Sequence, residues 1–170
     1  MVQELEFSQR LRLAIPSLDL YVSSRTQRQY VDDVCSDAIA IAWQKRGKIA
    51  SQESGQANDP LVPFLILTAR NLIRNLERKI STSNRHLKDL LPGDSPSAEA
   101  VVLEEHNLNS ALHKLKPKDR ELLLLLAWHD LSISEIAKVL GMSKANVSVR
   151  LNRARNRLNE ILQELTREGH

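Results

Sequence analysis

Residues 132–158, with the sequence SISEIAKVLGMSKANVSVRLNRARNRL, constrain the fold more than any other stretch of the chain. Ser132 and Glu135 have the spacing of a capping box, in which two side chains satisfy free backbone N–H groups at the start of a helix. Gly141 can take the positive φ of a tight turn, and Ser143 can cap a second helix. The stretch therefore predicts two helices that are joined by a short turn.

The second of these helices has an apolar side and a basic side. Its apolar residues recur with helical spacing and are Val147, Leu151, Ala154, Leu158 and Leu162. The outward side carries Lys144, Ala145, Ser148, Val149, Asn152 and Arg153, with further cations at Arg150, Arg155 and Arg157. A helix fits the major groove of DNA, where residues near its N-terminus reach base edges and cations contact phosphates. The stretch therefore predicts a DNA-binding helix-turn-helix.

Helix breakers are scarce outside one short segment. The chain of 170 residues has five Gly and six Pro, and its aromatic content of 4% implies aliphatic cores. Two prolines and a glycine fall within LPGDSPSAEA, residues 91–100, a composition typical of linkers. The sequence thus predicts an all-α fold of two small helical domains, residues 1–90 and 99–170, that are joined by a linker at 91–98.

Three helices are expected in the first domain. Pro16 should kink or split the first helix because it has no backbone N–H. Gly47 is a candidate for the left-handed residue after the second helix, ahead of a polar loop at 49–59. The predicted apolar stripe of the second helix is Val31, Val34, Ala38, Ile41 and Ala42.

The third helix is expected to begin near Pro63 and to have two distinct faces. Its predicted buried stripe is Leu65, Ala69, Leu72 and Leu76. Its opposite face offers Arg70, Asn71, Arg74, Asn75 and Arg78. Residues 68–88 hold six Lys/Arg and one Glu, so a second basic patch accompanies the one on the helix-turn-helix. Two separate basic patches suggest two contacts with one long polyanion.

In the second domain, Ser97 is predicted to cap a helix that runs to Leu115, and Pro117 is predicted to open the next one. The five consecutive leucines of that next helix cannot share one stripe, so it should be buried on most sides. Trp43 and Trp128 are interpreted as core anchors.

Several other classes of protein find little support in the sequence. Cys35 is the single cysteine, which excludes a disulfide framework and favours an inert buried thiol over a redox sensor. The five histidines suggest no metal site, and no cofactor motif or phosphate-binding glycine loop is found. The N-terminus lacks the pattern of a signal peptide, and no apolar run is long enough to span a membrane, so a cytoplasmic protein is expected.

Residues 111–162 resemble region 4 of bacterial sigma factors, in particular the extracytoplasmic-function group of the sigma-70 superfamily. The matching run is ALHKLKPKDRELLLLLAWHDLSISEIAKVLGMSKANVSVRLNRARNRLNEIL. A separate resemblance, to region 2 of the same family, lies in DDVCSDAIAIAW at 32–43 and FLILTARNLIRNLERK at 64–79. The two resemblances occur in the family's order and together cover most of the chain.

The resemblance implies a protein that binds core RNA polymerase, at its clamp and flap regions, and directs it to promoters. It implies that the polymerase clamp is contacted by Asp33, Ser36, Asp37 and Ile41. The −10 element would be faced by Arg70, Asn71, Arg74, Asn75 and Arg78. The −35 element would be contacted by Lys144, Ala145, Ser148, Val149, Arg150, Asn152, Arg153 and Arg155. The family also implies an anti-sigma partner, no cofactor and no chemistry of its own.

Two other interpretations remain open from the residues. The first is a dimeric helix-turn-helix transcriptional regulator in which residues 1–90 serve as a sensor or dimerisation domain. It predicts a palindromic operator and DNA binding without polymerase. The second is a helical adaptor protein with no role in DNA binding.

Overall fold

The computed structural model describes residues 2–51, 59–83 and 103–168. These residues form eight α-helices and no strand, which confirms the predicted all-α fold. The helices are α1 (Val2–Ser23), α2 (Val31–Gln44), α3 (Arg46–Ser51), α4 (Leu61–Ser83), α5 (Leu103–Lys114), α6 (Pro117–Ala127), α7 (Ile133–Leu140) and α8 (Lys144–Glu168), and a 3-10 turn (Arg28–Tyr30) precedes α2. The chain divides into two compact units, residues 1–96 and 97–170, called here the first and second units. The predicted linker at 91–98 and the cap at Ser97 lie outside the described residues.

In the first unit, α1, α2 and α4 pack against one another around an aliphatic core. The buried side chains include Leu11, Leu18 and Val22 of α1, Val34, Ala38 and Ala42 of α2, and Leu65, Ile66, Ala69 and Ile73 of α4. Trp43 is half-buried and meets the ring of Phe7 edge-on, with the ring centroids 5.8 Å apart. The predicted anchoring role of Trp43 agrees with this packing.

Helix α1 continues through Pro16, so this proline does not split the helix, and the predicted alternative of a kink stays a prediction. Both Pro16 and Arg12, whose carbonyl would otherwise accept the missing hydrogen bond, are exposed. Water can therefore hydrate the released carbonyl. The opposite side of the helix is held in the core by Ala14 and Leu18, which are 5% and 1% exposed.

The predicted role of Gly47 at the end of α2 is also wrong. Helix α2 ends at Gln44, and the backbone N–H of Lys45 donates to the carbonyls of Ile41 and Ala42. Gly47 lies inside the short helix α3 and is not left-handed. The first part of the predicted polar loop is thus helical and buries Ile49, while residues 52–58 lie outside the described residues.

Helix α4 starts two residues after Asp59, which fixes its N-terminus. A carboxylate oxygen of Asp59 accepts the backbone N–H of Leu61 at 2.8 Å, and the Arg10 guanidinium of α1 donates to both carboxylate oxygens. Burial pushes the pKa of Asp59 upward, but the hydrogen bond from Arg10, that from Leu61 and the charge of Arg10 outweigh it and hold the pKa below its ordinary value. The start of α4 is therefore tied to α1.

The buried side of α4 differs from the predicted stripe. Leu65 and Ala69 are buried as expected, but Leu72 and Leu76 are only half-buried. Ile66 and Ile73 lie in the core beside them. The difference arises because α4 packs between α1 and α2, and the two neighbours cover a wider sector of the helix than one stripe.

The second unit consists of α5 to α8, with α8 packed on α5, α6 and α7. Pro117 is the first residue of α6, as predicted. The Arg120 guanidinium donates to the carbonyls of Leu112 and His113 at 2.8 Å each, and so satisfies the C-terminal end of α5. Three of the five consecutive leucines are buried and two are half-buried, which agrees with the expected burial of α6.

Trp128 is 49% exposed, so its predicted role as a core anchor is wrong. It follows the last residue of α6, where its backbone N–H still donates to the Leu124 carbonyl. Because α6 ends before Trp128, its ring does not continue the buried side of the helix that includes Leu122 and Leu125.

Candidate DNA and polymerase interfaces

The capping box predicted at the start of α7 is present. The Ser132 hydroxyl oxygen accepts the backbone N–H of Glu135 at 3.3 Å, and a Glu135 carboxylate oxygen accepts the backbone N–H of Ser132 at 2.8 Å. The Ser132 hydroxyl also donates to that carboxylate oxygen at 2.6 Å. The backbone N–H groups of Ser132 and Glu135 are thus satisfied, and α7 begins at Ile133.

Each residue of the turn between α7 and α8 has a distinct backbone task. Gly141 is left-handed, at φ 65° and ψ 41°. The N–H of Met142 donates to the Ala137 carbonyl at 2.9 Å and that of Gly141 to the Lys138 carbonyl at 3.4 Å, the pair of bonds in a Schellman motif. The Ser143 hydroxyl then accepts the N–H of Asn146 at 3.2 Å and caps α8. The predicted helix-turn-helix is therefore formed.

One side of α8 is buried in the second unit. Val147, Leu151 and Ala154 are at most 3% exposed, as the stripe predicts. Further along, the core position is taken by Ile161, while Leu158 and Leu162 are half-buried. The predicted stripe is therefore wrong by one residue at its end.

The opposite side of α8 faces solvent and carries most of the predicted DNA-contacting residues. The exposed members are Lys144, Ala145, Ser148, Val149, Asn152, Arg153 and Arg155. Because successive residues of an α-helix are rotated by about 100°, Ala145, Val149 and Asn152 form the centre of this face. The cations lie on its two flanks, with Lys144 on one and Arg153 on the other. We call this set the outward face of α8.

Arg150 and Arg157 lie off the outward face. Arg150 is half-buried beside the turn, with a guanidinium nitrogen 3.9 Å from the sulfur of Met142. Arg157 forms an exposed ion pair with Glu160 at 2.9 Å. These two arginines are therefore partly engaged within the second unit.

The residues predicted to contact the polymerase clamp lie along α2 in the first unit. Asp33, Ser36 and Asp37 are exposed on one side of the helix, and Ile41 is half-buried at the edge of that side.

Cys35, on another side of α2, is half-buried, and burial together with the nearby charges of Asp19 and Asp32 raises its pKa to about 11. Its thiol is therefore protonated at neutral pH, as expected for an inert cysteine, but the side chain is not fully buried as predicted.

The predicted −10 residues lie along α4. Asn71, Arg74, Asn75 and Arg78 are exposed, and Arg70 is half-buried at the edge of the core-facing side. The four exposed residues form a continuous cationic and amide surface away from α1 and α2. The structure thus keeps four of the five residues on one accessible side of α4.

Sequence reasoning did not find the link between Arg10 and Asp59 that fixes the start of α4. The signal was available in part, because Asp59 precedes Pro60 directly before an apolar helix, and aspartate before proline is typical of a helix start. Its partner in α1 is separated from it by 49 residues, and no local pattern connects the two.

Among the residues that the structure describes, no group of three His, Cys, Asp or Glu side chains is placed to hold a metal ion. The helices within those same ranges include none with the length and apolarity that a membrane span requires.

Comparison with known proteins relates both units to one family. The family described as Sigma-70, region 4, matches residues 105–158. The chain is 32% identical over 146 residues to the probable RNA polymerase sigma factor RfaY of Xanthomonas campestris pv. campestris, covering 78% of this chain and 34% of that protein. It thus spans about a third of the length of RfaY.

Two further relatives match over most of their own length. The RNA polymerase sigma factor CnrH of Cupriavidus metallidurans is 30% identical over 145 residues, or 78% of this chain and 73% of CnrH. The ECF RNA polymerase sigma factor EcfG of Rhodopseudomonas palustris is 27% identical over 155 residues, or 88% of this chain and 81% of EcfG. Similarity of this extent includes part of the first unit, which favours a sigma factor over the dimeric regulator.

The fold is also similar to that of a solved sigma factor. The sigma factor RpoE of Bartonella quintana, crystallised with the anti-sigma factor NepR, matches with a TM-score of 0.68 and 25% identity, covering 93% of this chain and 97% of that one. The helix-turn-helix, the helices of the first unit and the relatives at this coverage agree with one another. The chain therefore belongs to the extracytoplasmic-function group of the sigma-70 family, the RNA polymerase sigma factors that act in transcription initiation.

Proposed function

We propose that the chain directs core RNA polymerase to its promoters by holding polymerase and DNA at separate surfaces of the two units. Residues 1–90 would act as a region 2-like domain that binds the polymerase clamp and the −10 element. Residues 99–170 would act as a region 4-like domain that binds the −35 element and the polymerase flap, and 91–98 would link them. Two weak contacts on one linked chain gain avidity only if both can be made at once, so the linker length matters.

The outward face of α8 is the observation that carries this proposal. It combines exposed cations on both flanks with short side chains at its centre, and it begins at the helix N-terminus. Cations such as Arg153 and Arg155 would bind phosphates and set affinity, whereas Lys144 and Ser148 would reach base edges and influence sequence choice. The buried stripe of α8 holds this face outward.

The acidic side of α2 supports a contact with polymerase. Asp33 and Asp37 are one helical turn apart, and like charges at this spacing destabilise an isolated helix by a few tenths of a kcal/mol. A cationic partner would relieve that repulsion. We expect the double charge reversal Asp33→Lys with Asp37→Lys to weaken binding to core polymerase.

A matched control changes two acidic residues outside α2. Glu6→Lys with Glu164→Lys alters the net charge by the same four units as the double reversal, at one exposed residue in each unit. This control should leave polymerase binding near the wild-type level. Equal losses in the reversal and the control would show that total charge, not this side of α2, governs binding.

The exposed side of α4 is proposed to face the −10 element. Arginines at 74 and 78 would follow the DNA backbone, and the amides at 71 and 75 could hydrogen-bond bases that are exposed when the strands separate. Asn71→Ala and Arg74→Ala should reduce the opening of promoter DNA, measured by permanganate reactivity of unpaired thymines. Binding of core polymerase by these variants should be unchanged.

Transcription in vitro with core polymerase and genomic fragments tests the proposed function as a whole. Initiation that depends on this chain would identify its promoters, and Arg153→Ala should weaken their use, while Arg167→Ala at the far end of α8 should not. Changes at Lys144 or Ser148 should alter base preference upstream. DNA binding to a palindrome without polymerase, and no initiation with it, would contradict the proposal.

An anti-sigma partner and a cytoplasmic location complete the proposal. RpoE was crystallised with the anti-sigma factor NepR, and 93% of the length of this chain matches RpoE. The chain is proposed to have no enzymatic activity, because the polymerase supplies the chemistry of initiation. Affinity purification of the tagged full chain from its own cells should recover an anti-sigma partner. Addition of core polymerase to the purified complex should displace that partner.

A further inference from the structure

Two of the three residues at the centre of the outward face of α8, Ala145 and Val149, are apolar. Val149 is 50% exposed, and Ala145, one turn earlier, is exposed as well. Their neighbours Ser148 and Asn152 on the same face carry hydrogen-bonding groups, whereas Val149 has neither a donor nor an acceptor. A base that meets Val149 must therefore be recognised through an apolar contact.

The local geometry makes Val149 a defined reading group. The small side chain of Ala145 allows the helix backbone to approach the base edges closely. A β-branched side chain in a helix has one strongly preferred χ1 rotamer, so the two methyl groups of Val149 point in a fixed direction. Thymine presents its 5-methyl group in the major groove, and it is the one base of DNA that does so.

We propose that Val149 determines specificity for a thymine in the upstream promoter element by packing against the 5-methyl group of that base. This inference rests on the proposed function, in which α8 enters the major groove, and it adds the chemical group that one residue reads. Ser148 and Asn152 both lie on the side of Val149 that is nearer to Lys144, and they would hydrogen-bond neighbouring bases. Arg153 and Arg155 would bind phosphates and would not distinguish thymine from other bases.

Replacement of thymine by deoxyuridine provides the test, because uracil lacks only the 5-methyl group. The upstream element is first obtained by selection of random duplexes with the holoenzyme, and each thymine in it is then replaced singly. Loss of one buried methyl group should weaken holoenzyme binding about fourfold at a single position. The other thymines should tolerate the replacement.

Variants of the protein assign that effect to one side chain. In the Val149→Ala holoenzyme the sensitive position should bind thymine and uracil equally, and Val149→Thr, which keeps one methyl group, should retain part of the discrimination. Ile133→Ala is the control, since Ile133 is also exposed, at 40%, but lies on α7. It should keep the full effect of uracil. Circular dichroism establishes that each variant is folded, and Val149→Thr decides the outcome if Val149→Ala is not.

Three results would overturn the inference: a selected element without thymine, no thymine sensitive to uracil, or a sensitivity that both Val149 variants leave intact. Failure of the proposed function would look different. In that case the holoenzyme would select no upstream element at all, and the uracil experiment would not be reached.

Discussion

Substitution of Gly141 by alanine should destabilise the second unit by about 1–2 kcal/mol, the cost of placing an L-residue in the left-handed helical conformation. Gly141 has a φ of 65°, and a Cβ added there would meet no atom within 4 Å. Collision therefore adds nothing to the cost. The turn cannot avoid the strain by moving, because the N–H groups of Gly141 and Met142 make their bonds to α7 only in this conformation.

The same substitution at Gly47 should raise the stability of its unit instead of lowering it. A Cβ at Gly47 also meets no atom within 4 Å, but this residue lies inside α3 and is not left-handed. Alanine loses less conformational entropy on folding than glycine, so Gly47→Ala should stabilise the first unit by about 0.5–1 kcal/mol. Gly141→Asn should cost less than Gly141→Ala, because asparagine adopts the left-handed conformation more readily.

Urea denaturation of the full chain, followed by far-ultraviolet circular dichroism, measures all three variants under one condition. Separate transitions for the two units would make the comparison sharper, because each change should move only the transition of its own unit. A neutral or stabilising Gly141→Ala would refute the backbone argument. So would a Gly141→Asn variant that loses as much stability as the alanine variant.

Three further predictions concern capping and titration. Ser132→Ala should lower the free energy of unfolding by about 1 kcal/mol through loss of the capping box, whereas Ser132→Thr should retain most of it; equal losses in urea denaturation would exclude the hydroxyl as the cause. The pKa of Asp59 is lowered in the folded chain, so its stabilising contact with Arg10 is present at neutral pH and is lost as the pH falls through the folded-state pKa. The stability advantage of the wild type over Asp59→Asn should therefore shrink on acidification, and a gap independent of pH would contradict the ion pair. Iodoacetamide should label Cys35 slowly at pH 8 and faster toward pH 11, and rapid labelling at pH 8 in the folded chain would refute the raised pKa.

The local chemistry of the sequence predicted the second unit well. The capping box, Gly141 and Ser143 lie within twelve residues, and each acts through backbone atoms a few positions away. Such signals do not depend on the rest of the fold. The outward face of α8 followed from the same stretch, because the buried stripe fixes the opposite side.

Predictions failed where the outcome depended on distant packing or on solvent. Pro16 is tolerated because it lies on the exposed side of α1, and that side is known only when the three-helix core is assembled. Helix α2 already ends at Gln44, so the presence of a glycine at position 47 did not locate the C-terminus of the helix. Ile73 and not Leu72 is buried because α4 contacts two helices, which no single periodic pattern describes.

The residues that fix the position of α8 are separate from the residues that are proposed to contact DNA. Gly141, Met142 and Ser143 fix the direction of α8 through backbone bonds and a cap, and the buried stripe that includes Val147 anchors the helix from the other side. The exposed centre of α8 is therefore open to laboratory evolution. A library randomised at positions 145, 148, 149 and 152 should yield sigma factors with new promoter preferences and nearly unchanged melting temperatures.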